Sequence, residues 1–211
     1  TLGVVITRSA GCVVNDLTDR LFDKHVKRTR YRPITTGNLP VKEAVILAIA
    51  LLLVAFALVL LTNAETIMLS VIALILAIIY PWLKRITFWP QIGLGLAFSM
   101  AIPMAFTAYQ QPLDPLVWAL FAGYVAWTLA YDPFYAMVDR DEDIKIGVKS
   151  IAILFGEQDK MMIGVLQTLT LFALYIGGQR FEFDSIYFWA LLPVAILFIY
   201  QQWLIRDRSP T

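Results

Sequence analysis

Seven stretches of this chain are apolar for long enough to cross, or nearly cross, a lipid bilayer, and that property excludes most soluble folds. A hydrocarbon core about 30 Å thick takes roughly 20 mostly apolar residues in helical conformation. Runs over approximately 1–16, 43–62, 66–83, 92–109, 115–138, 161–177 and 186–205 meet or approach that length. Backbone amides and carbonyls in lipid have no water to bond, so such runs must be helices or strands of a closed barrel. Their length and lack of strict alternation exclude barrel strands. The expected fold class is all-α, a polytopic transmembrane helical bundle with membrane lipid as its solvent. No linker, low-complexity tract or second domain interrupts the pattern, so residues 1–211 read as a single transmembrane domain.

The connections alternate in chemistry. All of the 17 Lys and Arg residues except Arg8 and Arg180 lie on 20–42, 84–91, 139–160 and the tail 206–211, or on their flanks. The connections 63–65, 110–114 and 178–185 are nearly free of base. Seven crossings put every basic connection on one side, which the positive-inside rule assigns to the cytoplasm. The expected location is a bacterial inner membrane. Formal net charge is only +1, so no global basic field points to a nucleic-acid partner. Cys12 is the only cysteine. It excludes an internal disulfide, and its apolar run suggests a small buried thiol. Pro81, Pro103, Pro133 and Pro193 are expected to kink or end spans, since neighbouring groups re-satisfy the carbonyls they free. Gly93 and Gly95 are expected to let helices approach closely. The chain opens at Thr1, already inside an apolar run and without a recognisable signal peptide, which reads as a trimmed or partial sequence.

Two acidic clusters stand out against this apolar background. The first is Asn15-Asp16-Leu17-Thr18-Asp19-Arg20-Leu21-Phe22-Asp23. At about 100° per residue, Asn15, Asp19 and Asp23 drift by only about 40° per step and share one helix face. Arg8, seven residues before Asn15, returns to nearly the same face. The second comprises Asp132 and then Asp139-Arg140-Asp141-Glu142-Asp143, again at helical spacings of seven and four. Base follows each cluster: Lys24, Lys27, Arg28 and Arg32 after the first, Lys145 and Lys149 after the second. Like charges four residues apart repel, and near a low-dielectric boundary the cost reaches several kcal/mol per ion. A few hard carboxylate oxygens, completed by substrate phosphates and water, are what Mg²⁺ prefers. Neighbouring Lys and Arg would hold the remaining phosphate oxygens. A solvated, charge-balanced helix end would explain one such cluster. It explains less well two clusters facing one compartment, with Arg8 and Asp132 deeper in the membrane.

These residues also resemble a known family. Asn15-Asp16-x-x-Asp19-x-x-x-Asp23, followed by Lys27-Arg28-Thr29-x-x-Arg32-Pro33, resembles the UbiA superfamily of intramembrane aromatic prenyltransferases. Tyr80-Pro81-x-x-Lys84-Arg85-x-Thr87-x-x-Pro90-Gln91 and Tyr131-Asp132-x-x-Tyr135-Ala136-Met137-Val138-Asp139-Arg140 are similar to the branch that prenylates 4-hydroxybenzoate in ubiquinone biosynthesis. Three ordered blocks on matching loops make the resemblance specific, and it runs through essentially the whole chain. Pro133 and Glu142 are local variations that leave Asp132, Asp139 and Asp143 in place. The resemblance implies nine helices around a central cavity. The seven seen here would then be the family's second to eighth, with the first and last missing.

It further implies Mg²⁺-dependent transfer of a polyprenyl group from polyprenyl diphosphate to the ring of 4-hydroxybenzoate. Asp19, Asp23, Asp139 and Asp143, with Asn15 and Asp16, would hold the metal against the diphosphate. Lys27, Arg28, Lys84, Arg85, Lys145 and Lys149 would bind the departing pyrophosphate. Arg8, with Asn15 as a second contact, would hold the acceptor's carboxylate, and Asp132 would orient the phenol or help remove the ring proton. Trp127, Tyr131 and Tyr135 would stabilise an allylic cation through their ring faces. Other acceptors, such as homogentisate, a naphthoate or haem, are the nearest alternatives. A transporter would place its acids near the bilayer centre, often between inverted repeats. Here the acids crowd one mouth in the same orientation, which disfavours transport.

Overall fold

A computed structural model describes residues 2–26, 29–147 and 149–207. Within these it does not describe the side chains of His25, Lys84, Arg85, Tyr135, Val138, Asp139, Asp141, Glu142, Asp143, Ile146 and Asp207. The described residues form helices and contain no strand. The long ones are α1 (Leu2–Asp19), α3 (Val41–Val59), α4 (Ala64–Ile86), α7 (Pro115–Ile146), α9 (Asp159–Arg180) and α10 (Ser185–Leu204). Two short helices, α5 (Pro90–Ser99) and α6 (Ala101–Ala108), share one apolar run, and α2 (Pro33–Thr36) and α8 (Ile151–Phe155) lie on the charged connections.

Among the described residues, five segments are long and apolar enough to cross a membrane: Val41–Val59, Ala64–Leu83, Pro90–Ala108, Ile151–Arg180 and Ser185–Leu204. They match five of the seven apolar runs. The other two runs are α1 and α7, which have 18 and 32 residues but carry Arg8 and the acidic residues. The protein is an integral membrane protein. Its exposed surface agrees: α10 has no buried residue, and Ile186, Trp189 and Ile199 on it are each about 70% exposed. Lipid chains, not protein, satisfy such side chains.

The principal packing runs in the order α3, α1, α4, α5, α7, α9, α10. Small residues let the helices approach. Ala44, Ala48 and Ala55 line the buried side of α3, which packs on α1. A Cβ at Gly93 would collide with Leu83 of α4, and one at Gly95 would come within 3.0 Å of Leu129 Cδ1 on α7. Both glycines thus serve the close packing expected of them. Polar pairs add to this. Gln167 of α9 donates to Gln201 of α10 at 2.9 Å, and Thr170 donates to the Gly123 carbonyl at 3.4 Å.

The prolines behave differently from one another. Pro81, Pro133 and Pro193 lie inside continuous helices. Pro103 instead follows the break between α5 and α6 at Met100. Having no N–H, it leaves the carbonyl of Ser99, four residues earlier, without its helical partner.

Contacts between helix ends sort the connections as the charge pattern does. On the charged side Lys149 Nζ donates to the Ile86 carbonyl at 3.1 Å, and Lys160 Nζ donates to the Arg206 carbonyl at 2.7 Å. On the other side Asn63 caps α4 and bonds the Thr107 carbonyl, while Thr66 and Thr107 share a hydroxyl bond of 2.8 Å. Cys12 departs from expectation: its thiol is exposed, not buried. An apolar position on a membrane helix can face lipid as readily as protein, so hydrophobicity alone did not place it inward.

Candidate active site

α1 brings the first cluster to the charged mouth. The helix stops at Asp19, the Phe22 amide bonds the Asp19 carbonyl at 2.8 Å, and Asp23 opens a 3-10 turn. Only Asn15 and Asp19 therefore share a helical face. The stripe expected to run on to Asp23 is replaced by a turn. Asp23 nevertheless stays with the cluster, because Arg32 ties the turn back to the helix. Arg32 Nη1 donates to Asp16 Oδ1 at 2.7 Å and to Asp23 Oδ2 at 3.1 Å. Asp19 and Asp23 are both buried, at 9% and 7% exposure. Asp16 lies in the electrostatic field of Arg32, Asp23 and Asp19 together.

The loop that supplies Arg32 is itself held. Thr29 and Arg30 amides bond the Val26 carbonyl at 3.1 and 3.0 Å, and the Arg32 amide bonds the Thr29 carbonyl at 3.0 Å. Pro33 then sits at the first turn of α2, where a missing N–H costs nothing. Lys27 and Arg28 lie outside the described residues. Arg32 was legible as a base after the first cluster, but not as the group joining two of its acids. That pairing depends on the path of the intervening turns.

The second cluster rides on α7, whose backbone is helical without interruption through positions 132, 139 and 143. The spacings of seven and four therefore fall on a real helix, although the side chains of Asp139 and Asp143 lie outside the description. A floor of Ala130, Met137, Ala152 and Ile163 fixes this stretch where α7, α8 and α9 meet. Deeper in α7, Tyr124, Trp127 and Tyr131 form a ladder with centroid separations of 5.5 and 5.9 Å. The Tyr131 phenol lies within electrostatic reach of both Asp132 and Arg8. Arg8 on α1 and Asp132 on α7 thus both act electrostatically on Tyr131. Tyr124, not singled out in the sequence, extends the aromatic face by one step.

The middle block is a docking element. The Thr87 hydroxyl accepts from the Trp89 amide at 3.2 Å, and buried Gln91 accepts from the Ile151 amide at 3.3 Å. Trp89 meets Phe155 edge-on at 5.6 Å. Lys149 lies 5.4 Å from the Phe88 ring centroid while donating to the Ile86 carbonyl at the end of α4, where a cation also complements the helix dipole. Lys149 therefore joins the two loops in this structure. Lys145 is exposed in the last turn of α7, and the Lys84 and Arg85 side chains are outside the description.

The donor set suits a hard divalent cation. Three carboxylates share one field at the end of α1, and two of them are largely buried. Among the described residues, no three His, Cys, Asp or Glu side chains could hold a metal by themselves. That is compatible with Mg²⁺, which takes one or two carboxylates and keeps waters and substrate phosphates as its other ligands.

Comparison with known proteins fits this arrangement. A family model described as the UbiA prenyltransferase family matches residues 1–211. The 4-hydroxybenzoate octaprenyltransferase of Aliivibrio fischeri is 53% identical over 208 residues, covering 99% of this chain and 73% of that protein. The enzyme of the same name from Pseudomonas aeruginosa is 50% identical over 209 residues, covering 99% and 71%. The apo structure of a UbiA homologue from Aeropyrum pernix K1 superposes with a TM-score of 0.86 at 25% identity, over 98% of this chain and 80% of that one. A UbiA homologue from Archaeoglobus fulgidus, bound to DMAPP and Mg²⁺, shares the fold with a TM-score of 0.75 at 19% identity, over 99% and 74%. With the family model matching residues 1–211 and relatives 50% identical or more over 99% of it, the chain belongs to the UbiA prenyltransferase family.

Proposed function

We propose that this protein transfers a polyprenyl group from polyprenyl diphosphate to the ring of 4-hydroxybenzoate, releasing diphosphate, as a step of ubiquinone biosynthesis. The observation that carries the reading is identity of 50% or more, over 99% of the chain, to enzymes named for that reaction. The gathering of Asp16, Asp19 and Asp23 at one helix end supports it.

Asp19 and Asp23, with Asp16 and Asn15 beside them and Asp139 and Asp143 on α7, would hold Mg²⁺. A metal held there would supply positive charge to the departing diphosphate, easing heterolysis of the allylic C–O bond. Lys27, Arg28, Lys84, Arg85 and Lys145 would add charge-assisted hydrogen bonds to that leaving group. The rings of Tyr124, Trp127 and Tyr131 would stabilise the electron-poor allylic carbon by cation–π contact. The carbon ortho to the acceptor's hydroxyl would supply the electron pair for the new C–C bond and the ring proton would leave, Asp132 orienting the phenol or helping to remove that proton. Arg8 would hold the acceptor's carboxylate. Both acidic motifs would face the cytoplasm from a bacterial inner membrane.

The test uses protein reconstituted in lipid, given polyprenyl diphosphate and 4-hydroxybenzoate with Mg²⁺ or with EDTA. Prenylated product is expected with Mg²⁺, its loss with EDTA, and its return on adding excess Mg²⁺. No product from a folded sample would remove the reading. Parallel reactions with homogentisate or a naphthoate would identify another acceptor.

Arg8→Ala separates the two substrates. Loss of a charge-assisted contact to the acceptor alone should raise KM for 4-hydroxybenzoate about tenfold or more. KM for the diphosphate donor should hardly change. Steady-state kinetics with each substrate varied in turn would decide; equal increases for both would take Arg8 off the acceptor.

A further inference from the structure

α1 ends where electrostatics disfavours the residues it carries. Asp16 and Asp19 fall in its last turn, where the helix dipole already concentrates negative charge, and that turn contains no base of its own. A compensating cation arrives from 16 residues along the chain. Arg32 uses one guanidinium nitrogen, Nη1, for both Asp16 and Asp23. One positively charged centre between two carboxylate oxygens resembles a metal in charge and position. It differs in the length of its bonds, 2.7 and 3.1 Å, against about 2.1 Å for Mg²⁺.

The attachment of Arg32 suits exchange. Its backbone is fixed at both sides: its amide bonds the Thr29 carbonyl, and its carbonyl accepts from the Thr36 amide at 2.9 Å. Its side chain is still 29% exposed, so the guanidinium can turn without refolding the loop. A guanidinium also pairs with phosphate oxygens in the same forked manner as with carboxylates.

We propose that Arg32 is an exchangeable counter-ion of the acidic site, holding Asp16 and Asp23 before metal arrives and passing to the diphosphate when the metal takes the carboxylates. The proposal rests on the metal-diphosphate reading above. Metal alone must displace Arg32 and leave two cations crowded together. Diphosphate alone meets an array of carboxylates. Arriving together they exchange partners, so each promotes binding of the other by the same factor.

The experiment measures Mn²⁺ affinity by electron paramagnetic resonance, on protein in lipid nanodiscs, with and without inorganic pyrophosphate. In the wild type, pyrophosphate is expected to tighten Mn²⁺ binding about tenfold or more. Arg32→Gln should bind Mn²⁺ alone about tenfold more tightly than the wild type and lose most of the pyrophosphate effect. Arg32→Lys, which keeps the charge without the fork, should fall between them, and it carries the test if the glutamine variant does not fold. Mn²⁺ binding that is unchanged or weaker in both variants without pyrophosphate overturns the exchange and leaves the metal site standing. No Mn²⁺ binding to the wild type even with pyrophosphate overturns the metal-diphosphate reading, and the exchange with it.

Discussion

Asp19→Ala is expected to lower turnover about a thousandfold, equivalent to about 4 kcal/mol of transition-state stabilisation, while the protein remains in the membrane. The two halves of this expectation have separate causes. Asp19 is buried beside Asp16 and Asp23 at the end of α1, so its carboxylate belongs to the charge that would hold the metal. The helix before it, apart from Arg8 and Asp16, contains no other charged residue, so insertion should not depend on Asp19. Asp139→Ala, in the second acidic cluster, should have an effect of similar size. Turnover of polyprenyl diphosphate under saturating Mg²⁺ is the measurement, with detergent-solubilised size exclusion as the check on folding. Asp19→Ala at wild-type rate would contradict the metal assignment.

Gly123→Val should be the most disruptive substitution remote from the acids. A Cβ at this position runs into the Ala173 methyl across the α7–α9 contact. One turn along, a Cβ at Gly177 would come within 2.9 Å of Leu120 Cδ2, so the helices cannot easily slide to make room. Overpacking of this kind costs about 1–3 kcal/mol, or about 2–12 °C in Tm for a chain of this size. Activity should fall as well, since α7 also bears the second acidic cluster. A compensating pair gives the sharper check. Gly123→Ala should be destabilising, and Ala173→Gly added to it should restore most of the loss through their coupling. Melting curves followed by intrinsic tryptophan fluorescence would report both. An unshifted melting point in Gly123→Val would mean that the contact is loose.

Much of this architecture was legible because bilayer thickness and backbone hydrogen bonding leave a chain few choices. The expected run at 66–83 became α4 at Ala64–Ile86, and the run at 186–205 became α10 at Ser185–Leu204. What escaped was what tertiary paths decide. Helical spacing carried the first acidic stripe on to Asp23, yet the helix ends at Asp19, and a turn plus Arg32 reassembles the cluster by another route. Lys149 looked like a phosphate ligand because base follows acid. In this structure it donates to the Ile86 carbonyl at the end of α4. Pro103 and Pro133 look alike in sequence, but only Pro103 coincides with a broken helix, so the residue type alone did not say which would yield.

The length of α7 has a consequence for where the reaction can stand. At about 1.5 Å per residue, its 32 residues measure about 48 Å, against a hydrocarbon core about 30 Å thick. If Pro115 marks the far boundary, position 132 lies about 26 Å along, still among lipid chains, and position 139 about 36 Å along, already in the headgroup layer. The helix is a depth gauge. It grades one continuous surface from oil to water within two turns, which would keep the diphosphate end of the proposed donor near water and its hydrocarbon among lipid. The two products of the proposed reaction would then separate by solubility: diphosphate would diffuse off through water, and the prenylated ring would drift sideways into the membrane.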